Sequence, residues 1–457
     1  GPGIIGLVFA DVGARGGRSG GPQAKGRLPI GNREKIKASF RRTPGAGWKV
    51  AQRVCETPSA ELCPHSGGRC NRGYGGPMSA SFSQVSAPGR SVFPFESPAP
   101  VEILARGALL AHGRVVQRLN PIRDERWNDK LAAVAPDAFF PGKGWALVLA
   151  QTYGYAPEYF AEQTGGRLEA LLPVMEVDSW LTGRRGISLP FTDYCDPLAA
   201  DAAAFRQLFD AAVAHGRSRR WKYLELRGGQ PFLAAAPPAQ QYYGHELSLA
   251  GEEPELFAAL KSATRRAVRK AQHEGVTVEF RSDVRGIRQF YALHCRTRRK
   301  HGLPPQPLRF FLQVQERILD HGDGIVVLAR AGARYIAGAV FFQKGATALY
   351  KFGASDERTL RLRGNDLVIW EGIRHYAARG CRKLYMGRTS PANEGLLRFK
   401  RGWGAREYPI PYYRYDLRKN AFVPGHDETV GWHNRVFGAL PLSLSRLLGA
   451  LLYRHVA

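Results

Sequence analysis

Arg265, Arg266, Arg269 and Lys270 stand at i, i+1, i+4 and i+5, so on a helix they form one basic stripe, with Ala267, Val268 and Ala271 on the buried side. Guanidinium forks and an ammonium grouped in this way can grip a diphosphate or a nucleotide-linked acceptor; a solvated helix face is the plainer alternative. Farther along, Gly387-Arg388-Thr389 closes a predicted strand. That position aims Arg388 at the crevice where α/β folds bind ligands, a salt bridge to a neighbouring loop being the other use. Lys400 and Arg401 lie beyond Asn393 on the next helix and can reach the same anion. Tyr350 and Lys351, on a predicted strand, offer donors to an oxyanion or a phosphate, and alternation along the strand turns one of them into the core. Asp193, Asp356, Asp366, Glu371 and Glu394 are candidate bases near strand ends or loops, and spacing singles out none of them. His273, His294 and His301 have no Cys, Asp or Ser partner at a telling distance and are assigned structural or surface roles.

The whole chain shares this basic character. Its 457 residues carry 66 Lys and Arg against 39 Asp and Glu, a net charge of +27 that favours phosphates, nucleic acid or an anionic membrane face. With 44% hydrophobic residues a wholly disordered or collagenous chain is excluded, and no apolar run approaches the roughly 20 residues of a membrane-spanning helix. The six cysteines are too sparse for a disulfide scaffold and read as reduced thiols, so a cytoplasmic setting is expected. Cys55, Cys63, His65 and Cys70 lack the paired C-x-x-C knuckles of a zinc site, and no metal is expected.

Residues 1–77 hold 17 of the 52 glycines and no sustained periodicity, and the first methionine is Met78. They are expected to be disordered upstream sequence, and 1–95 as a whole to be extension and linker. From about residue 120 helices and strands alternate in the manner of an α/β protein. The first half, 96–250, predicts helices over 123–134, 144–153 and 201–216 and strands over 168–177, 186–190, 222–226 and 241–249. The second, 251–425, predicts a helix in two pieces over 252–275, a strand over 276–280 and helices over 286–301 and 308–321. A meander of strands follows over 325–330, 335–344 and 346–352, then a helix over 364–379, a strand over 383–387, a short helix after Pro391 and a strand over 406–415. In the tail, 426–457, leucines recur at helical spacing with Arg446 and Arg454 flanking, which suits an amphipathic helix. It packs on the second half, or it meets a membrane surface or partner proteins there.

An antiparallel meander, then a helix, then another strand is the core order of the acyl-CoA N-acetyltransferase (GNAT) fold. Leu189-Pro-Phe-Thr-Asp-Tyr194, the basic stretch from Arg265 to Gly275, Tyr385-Met-Gly-Arg-Thr389 and the run from Asn393 to Gly404 sharpen the match. Together they resemble the FemAB-type branch of that superfamily, over roughly residues 120–425. The resemblance implies two tandem GNAT-like α/β domains with mixed sheets enclosing one cleft. The branch includes peptidoglycan bridge aminoacyltransferases, which use aminoacyl-tRNA, and proteins of exopolysaccharide and exosortase-linked gene clusters. The long helical-hairpin arm of the bridge enzymes is not evident, since the helices of 286–321 break at Gly302-Leu-Pro-Pro305.

In such a fold the helix after the meander turns its N-terminal amides toward the donor's pyrophosphate. Here that start is Arg361-Leu-Arg-Gly-Asn-Asp366, so Arg361, Arg363, Gly364 and Asn365, with Arg388 and Lys400, are implied to hold the donor's phosphates. Asp366 stands where the usual pattern has Gly or Ala, and Asn365 or Asp366 as a simple helix cap is the other reading. The resemblance turns the loop bearing Asp193 toward the cleft, which makes Asp193 the leading base, a plain turn residue being its other reading, Tyr194 a proton donor and Tyr350 a donor to the oxyanion. Arg265, Arg266, Arg269 and Lys270 would take the acceptor. The implied activity is transfer of an acyl group from acyl-CoA, as cosubstrate, to an amine of a phosphorylated cell-envelope or exopolysaccharide precursor. Aminoacyl-tRNA as donor is the alternative, and a non-catalytic nucleic-acid-binding protein a second one, favoured by charge alone. DNA is not expected as a partner. The protein would work in the cytoplasm or peripherally at the inner membrane face, with 432–457 as the membrane contact.

Overall fold

A computed structural model of the chain describes residues 115–425, 437 and 439–456. The expected disordered extension, the weighed zinc ligands and the start of the tail lie outside the described residues. The first half runs β1 (Val116–Leu119), α1 (Trp127–Val134), α2 (Lys143–Tyr153), β2 (Ala156–Pro157), β3 (Tyr159–Thr164), β4 (Arg167–Leu172), β5 (Met175–Val177), β6 (Arg185–Ile187), α3 (Ala202–Ser218), β7 (Tyr223–Arg227), α4 (Gln230–Leu233) and β8 (Gln240–Ser248). The second runs α5 (Glu253–Ala259), α6 (Ser262–His273), β9 (Thr277–Arg281), α7 (Val284–Lys300), α8 (Leu308–Arg317), β10 (Gly324–Ala331), β11 (Arg334–Lys344), β12 (Thr347–Ser355), α9 (Gly364–Ala378), β13 (Lys383–Thr389), α10 (Glu394–Gly402), β14 (Arg406–Asp416) and β15 (Ala421–Phe422). A last helix, Leu442–Leu452, ends the described chain before Tyr453–His455.

The class is mixed α/β, and both halves follow one plan. In each, antiparallel strands lead into a single parallel pair joined across a helix: β6 and β7 across α3, β12 and β13 across α9. Helix α3 forms because Asp201 caps Ala204 N–H and apolar residues recur at helical spacing, burying Phe205, Leu208, Phe209, Ala212 and Val213. The meander strands are apolar on both faces because both faces are covered. Val326, Leu328, Val340 and Phe342 join the core beneath α7 and α8, while the alternating Val327, Ala329, Ala339 and Phe341 join the core beneath α9.

The halves share one sheet, ordered β2-β5-β6-β7-β14-β8-β13-β12-β11-β10-β9, with β15 on β14. Strand β8, at the end of the first half, lies between β13 and β14, and β14 in turn pairs with β7. The sheet therefore runs unbroken across the boundary expected at residue 250. A core cluster joins the two sides, with Trp127, Trp145 and Tyr159 of the first half against Phe310, Phe342 and Tyr453.

Two expected elements differ. The strand expected over 168–177 is two strands in different sheets, β4 with β1 and β3, β5 with β2 and β6; Pro173, which has no N–H to donate, sits at the break. The helix expected from residue 123 starts at Trp127, because Asp124 accepts from Arg126 N–H at 3.0 Å and makes a turn of the preceding residues.

Candidate active site

Strands β12 and β13 pair only at their beginnings, from Thr347 with Lys383 to Leu349 with Tyr385. Beyond that they part, and a cavity of about 220 Å³ opens between Tyr350–Ser355 on one wall and Met386–Arg388 on the other. Its remaining walls come from Phe191–Asp193, the last two turns of α7, Asn365 at the start of α9, and Lys400 on α10. A drug-sized ligand occupies roughly 300–1,000 Å³, so this space takes the reacting end of a larger molecule rather than the whole of it.

Two β-bulges aim the side chains. Val340 pairs with Phe352 and Phe341 with Tyr350, which leaves Lys351 as the extra residue on β12. Alternation is broken there, so Tyr350 and Lys351 both line the cavity, Tyr350 packing also against the core beneath α9. Gly353 follows because the Tyr350 hydroxyl lies where a β-carbon would be. On β13, the register shifts between Tyr385 opposite Glu246 and Arg388 opposite Gly244; Gly387, at φ +71°, makes the turn that only glycine takes readily.

At the centre of the cavity Lys351 Nζ donates to Asp193 Oδ2 at 2.8 Å, with the two side chains 5% and 18% exposed. Aromatic faces surround the ammonium, 5.1 Å from Phe140 and 5.7 Å from Phe352. Burial pushes the Asp193 carboxyl up, but Lys351, Arg388 and Lys400 together outweigh it and hold the group below the ordinary aspartate value. Asp193 is thus an ionised, ion-paired carboxylate, a weak base but a firm anchor. Its loop is held by Tyr412, whose hydroxyl donates to Asp193 O at 2.7 Å. Leu189 and Phe191 in the same loop adopt positive φ, 57° and 61°. Bulky residues there cost about 1–2 kcal/mol each, so surrounding contacts must impose this path to Asp193.

Of the expected site residues, Asp193, Tyr350, Asn365, Arg388 and Lys400 meet at this cavity. Arg388 stacks over Tyr242 at 4.1 Å and Tyr412 at 5.0 Å. Lys400 is buried and donates to the carbonyls of Gly387 and Arg388, both at 3.0 Å, so it shapes the β13 wall. Tyr194 lies behind Asp193 in a small void with Tyr385 and Tyr408, and burial holds its hydroxyl protonated. Arg363 is the N-cap of α9 in left-handed conformation (φ 56°), its side chain makes no capping hydrogen bond, and Gly364 is buried against β11. Asp366, in the first turn, accepts from its own backbone N–H through its carboxylate. The side chains of Arg361 and Arg363 are exposed at the approach to this helix start.

The basic stripe lies apart from this cavity: none of Arg265, Arg266, Arg269 and Lys270 lines it. Arg265 donates to the carbonyls of Ala258 and Leu260, closing the end of α5, and Arg269 lies over the Phe257 ring at 5.3 Å. Arg266 and Lys270 are solvated. Two of the other acids are ion-paired. Asp356 is drawn down to about 2, chiefly by the hydrogen bond from Arg358, and also pairs with Arg296 and Arg334; Glu371 pairs with Arg374. What spacing missed is the α7 wall: Thr297, Arg298, Lys300, His301 and His294, whose Nε2 lies 2.7 Å from Gln306 Oε1. The signal there was the basic run Arg298-Arg299-Lys300, which reads equally well as a complement to the helix dipole. Among the described residues there is no cluster of ligands able to hold a metal ion.

Residues 258–401 match the acetyltransferase (GNAT) domain family. Among solved structures, FemX is similar with a TM-score of 0.54 at 14% identity, over 67% of this chain and 98% of that one. A tandem GNAT protein from the clavulanic acid biosynthesis pathway (TM-score 0.43, 12% identity, 66% of this chain and 98% of that one) is more distant. So is L-PGS from Bacillus licheniformis (TM-score 0.41, 9% identity, 73% and 99%). No curated protein matches in sequence.

Proposed function

We propose, from the match of residues 258–401 to the acetyltransferase (GNAT) domain family and from the FemX-like fold, transfer of an acyl group from acyl-CoA to an amine of a cell-envelope or exopolysaccharide precursor. The observation that carries this reading is the parting of β12 and β13 into a cavity that runs from the start of α9, where the N-cap Arg363 side chain makes no capping hydrogen bond, to the Asp193–Lys351 pair. Free amides at the head of a helix suit the pyrophosphate of the donor. Asn365 belongs to the cavity wall, whereas Asp366 does not, and burial pushes the Asp366 carboxyl up. The cavity then receives the thioester end.

In the transfer, the amine lone pair forms the N–C bond, the C–S bond breaks, and the leaving thiolate takes up a proton. The barrier lies in the negative charge gathering on the carbonyl oxygen. Lys351, with its charge fixed among aromatic faces, and the Tyr350 hydroxyl are the donors for that oxygen. Asp193 orients Lys351 and accepts from the attacking N–H; being held ionised and paired, it leaves the amine's own proton to water. Arg388, on the opposite wall, supplies positive charge for a phosphorylated carrier.

The test is a transfer assay with radiolabelled acyl-CoA and an amine-bearing envelope-precursor extract. Label moves to the acceptor, and Lys351→Met lowers kcat by about 10²–10³. A second reading, with aminoacyl-tRNA as donor, draws on the net charge of +27. Label arriving from aminoacyl-tRNA and never from acyl-CoA would establish it in place of the first.

A further inference from the structure

The last helix, Leu442–Leu452, is inverted. It buries Ser445 and Gly449, the latter set so close to Pro305 that a β-carbon would strike the Pro305 carbonyl. Three of its six leucines point out: Leu444, Leu447 and Leu451 are 41%, 56% and 57% exposed, while Leu442 packs against the core. At 100° per residue these three fall within a 60° arc, a single outward stripe. A helix of a water-soluble fold places such a stripe inward.

The stripe continues past the helix end. His455 accepts from Thr182 Oγ1 and Arg185 through its carbonyl, and its ring meets Trp180 edge-on at 5.3 Å. Trp180 is 85% exposed and Leu181 is exposed beside it. Five exposed large apolar side chains thus lie on this helix and on the segment that His455, just past its end, touches. The helix has no acidic residue; Arg446 turns inward over the Tyr291 ring of α7 at 5.3 Å, whereas Arg454 is exposed just past the helix end and Arg184 adds a partly exposed guanidinium beside Leu181, paired with Asp178. Leucines and a tryptophan rimmed by arginines match the boundary between acyl chains and anionic headgroups, which accepts all three at once. No helix among the described residues is long and apolar enough to cross a membrane, so contact is with the surface alone.

We infer that this face docks on an anionic lipid surface, with Leu444, Leu447, Leu451 and Trp180 inserted among the headgroups. The inference stands apart from the transfer chemistry, since lipid binding is measured without substrate. The full-length protein is sedimented with vesicles of phosphatidylcholine with and without phosphatidylglycerol, at low and high salt. Binding occurs only with phosphatidylglycerol and weakens with salt. Leu447→Glu and Leu451→Glu each reduce it about tenfold, while Val284→Glu, at an exposed apolar position on α7, leaves it unchanged. Absence of binding, or binding indifferent to the two leucine variants, overturns the inference. So does either of two other effects without a change in lipid binding: conversion of a dimer to a monomer, which assigns the face to a second copy, or a lowered melting temperature, which assigns it to another segment of this chain.

Discussion

Lys351 and Asp193 form a buried pair whose members depend on each other unequally. Removing the cation leaves a carboxylate with its desolvation largely uncompensated, whereas removing the anion leaves Lys351 against aromatic faces that still attract it. Lys351→Met is therefore expected to destabilise the fold by about 3–5 kcal/mol, and Asp193→Asn by less. The double variant should recover part of the loss, as a urea-denaturation double-mutant cycle would read. The buried histidines set a second expectation. His245 is lowered to about 4 by burial and then Lys400, His294 to about 3 by burial and then Arg298, both from an ordinary 6.5. The unfolded chain binds these protons first as pH falls. Their contribution is therefore whole above about pH 6.5 and declines toward pH 4 and 3, by up to about 1.4 kcal/mol per pH unit for each. Urea midpoints at pH 7.5, 6.5 and 5.5 should fall in that order, and His245→Gln should flatten the slope. At this scale the sequence revealed residue types and missed partners: Asp193 was legible as a loop acid, but its ion pair joins positions 158 residues apart.

Helix α9 illustrates how an element can be legible while its terminus is not. Gly364–Ala378 has the length, periodicity and following Gly380 that predict it. Nothing local announces that Arg363 adopts left-handed conformation to start it. An arginine there pays a steric cost of about 1–2 kcal/mol and sets a cation at the positive end of the dipole. Glycine removes both terms, and the extra freedom it gives the unfolded chain offsets about 0.4–1 kcal/mol. Arg363→Gly is thus expected to stabilise the ligand-free protein by roughly 1 kcal/mol, seen as a higher melting temperature. An unchanged or lower one would mean that Arg363 makes contacts that repay the strain. The bulge at Lys351 escaped the sequence for a related reason. A bulge is a mismatch between two strands, and the run Thr347–Ser355 by itself reads as an ordinary strand.

The tandem order of two α/β halves was legible because each repeats the same local grammar, but the interlock between them depends on strand partners, which sequence distance conceals. Strand β8 precedes the boundary expected at residue 250 and yet hydrogen-bonds to both β13 and β14. Without it the second half would carry two unpaired strand edges flanking a gap at the centre of its sheet, with the backbone groups of Glu246, Leu247 and Ser248 no longer available to Tyr385, Leu384 and Lys383. The shared core adds to this, since Phe342 stacks on Phe139 of the first half at 4.6 Å and meets Trp145 at 6.1 Å. A fragment spanning 251–425 is therefore expected to be insoluble or to lack cooperative unfolding. A fragment spanning 115–456 should unfold in one transition, with calorimetric and van't Hoff enthalpies in agreement. Two separate transitions in the longer fragment, or a well-folded shorter one, would mean that the halves are held together by less than the sheet and core they share.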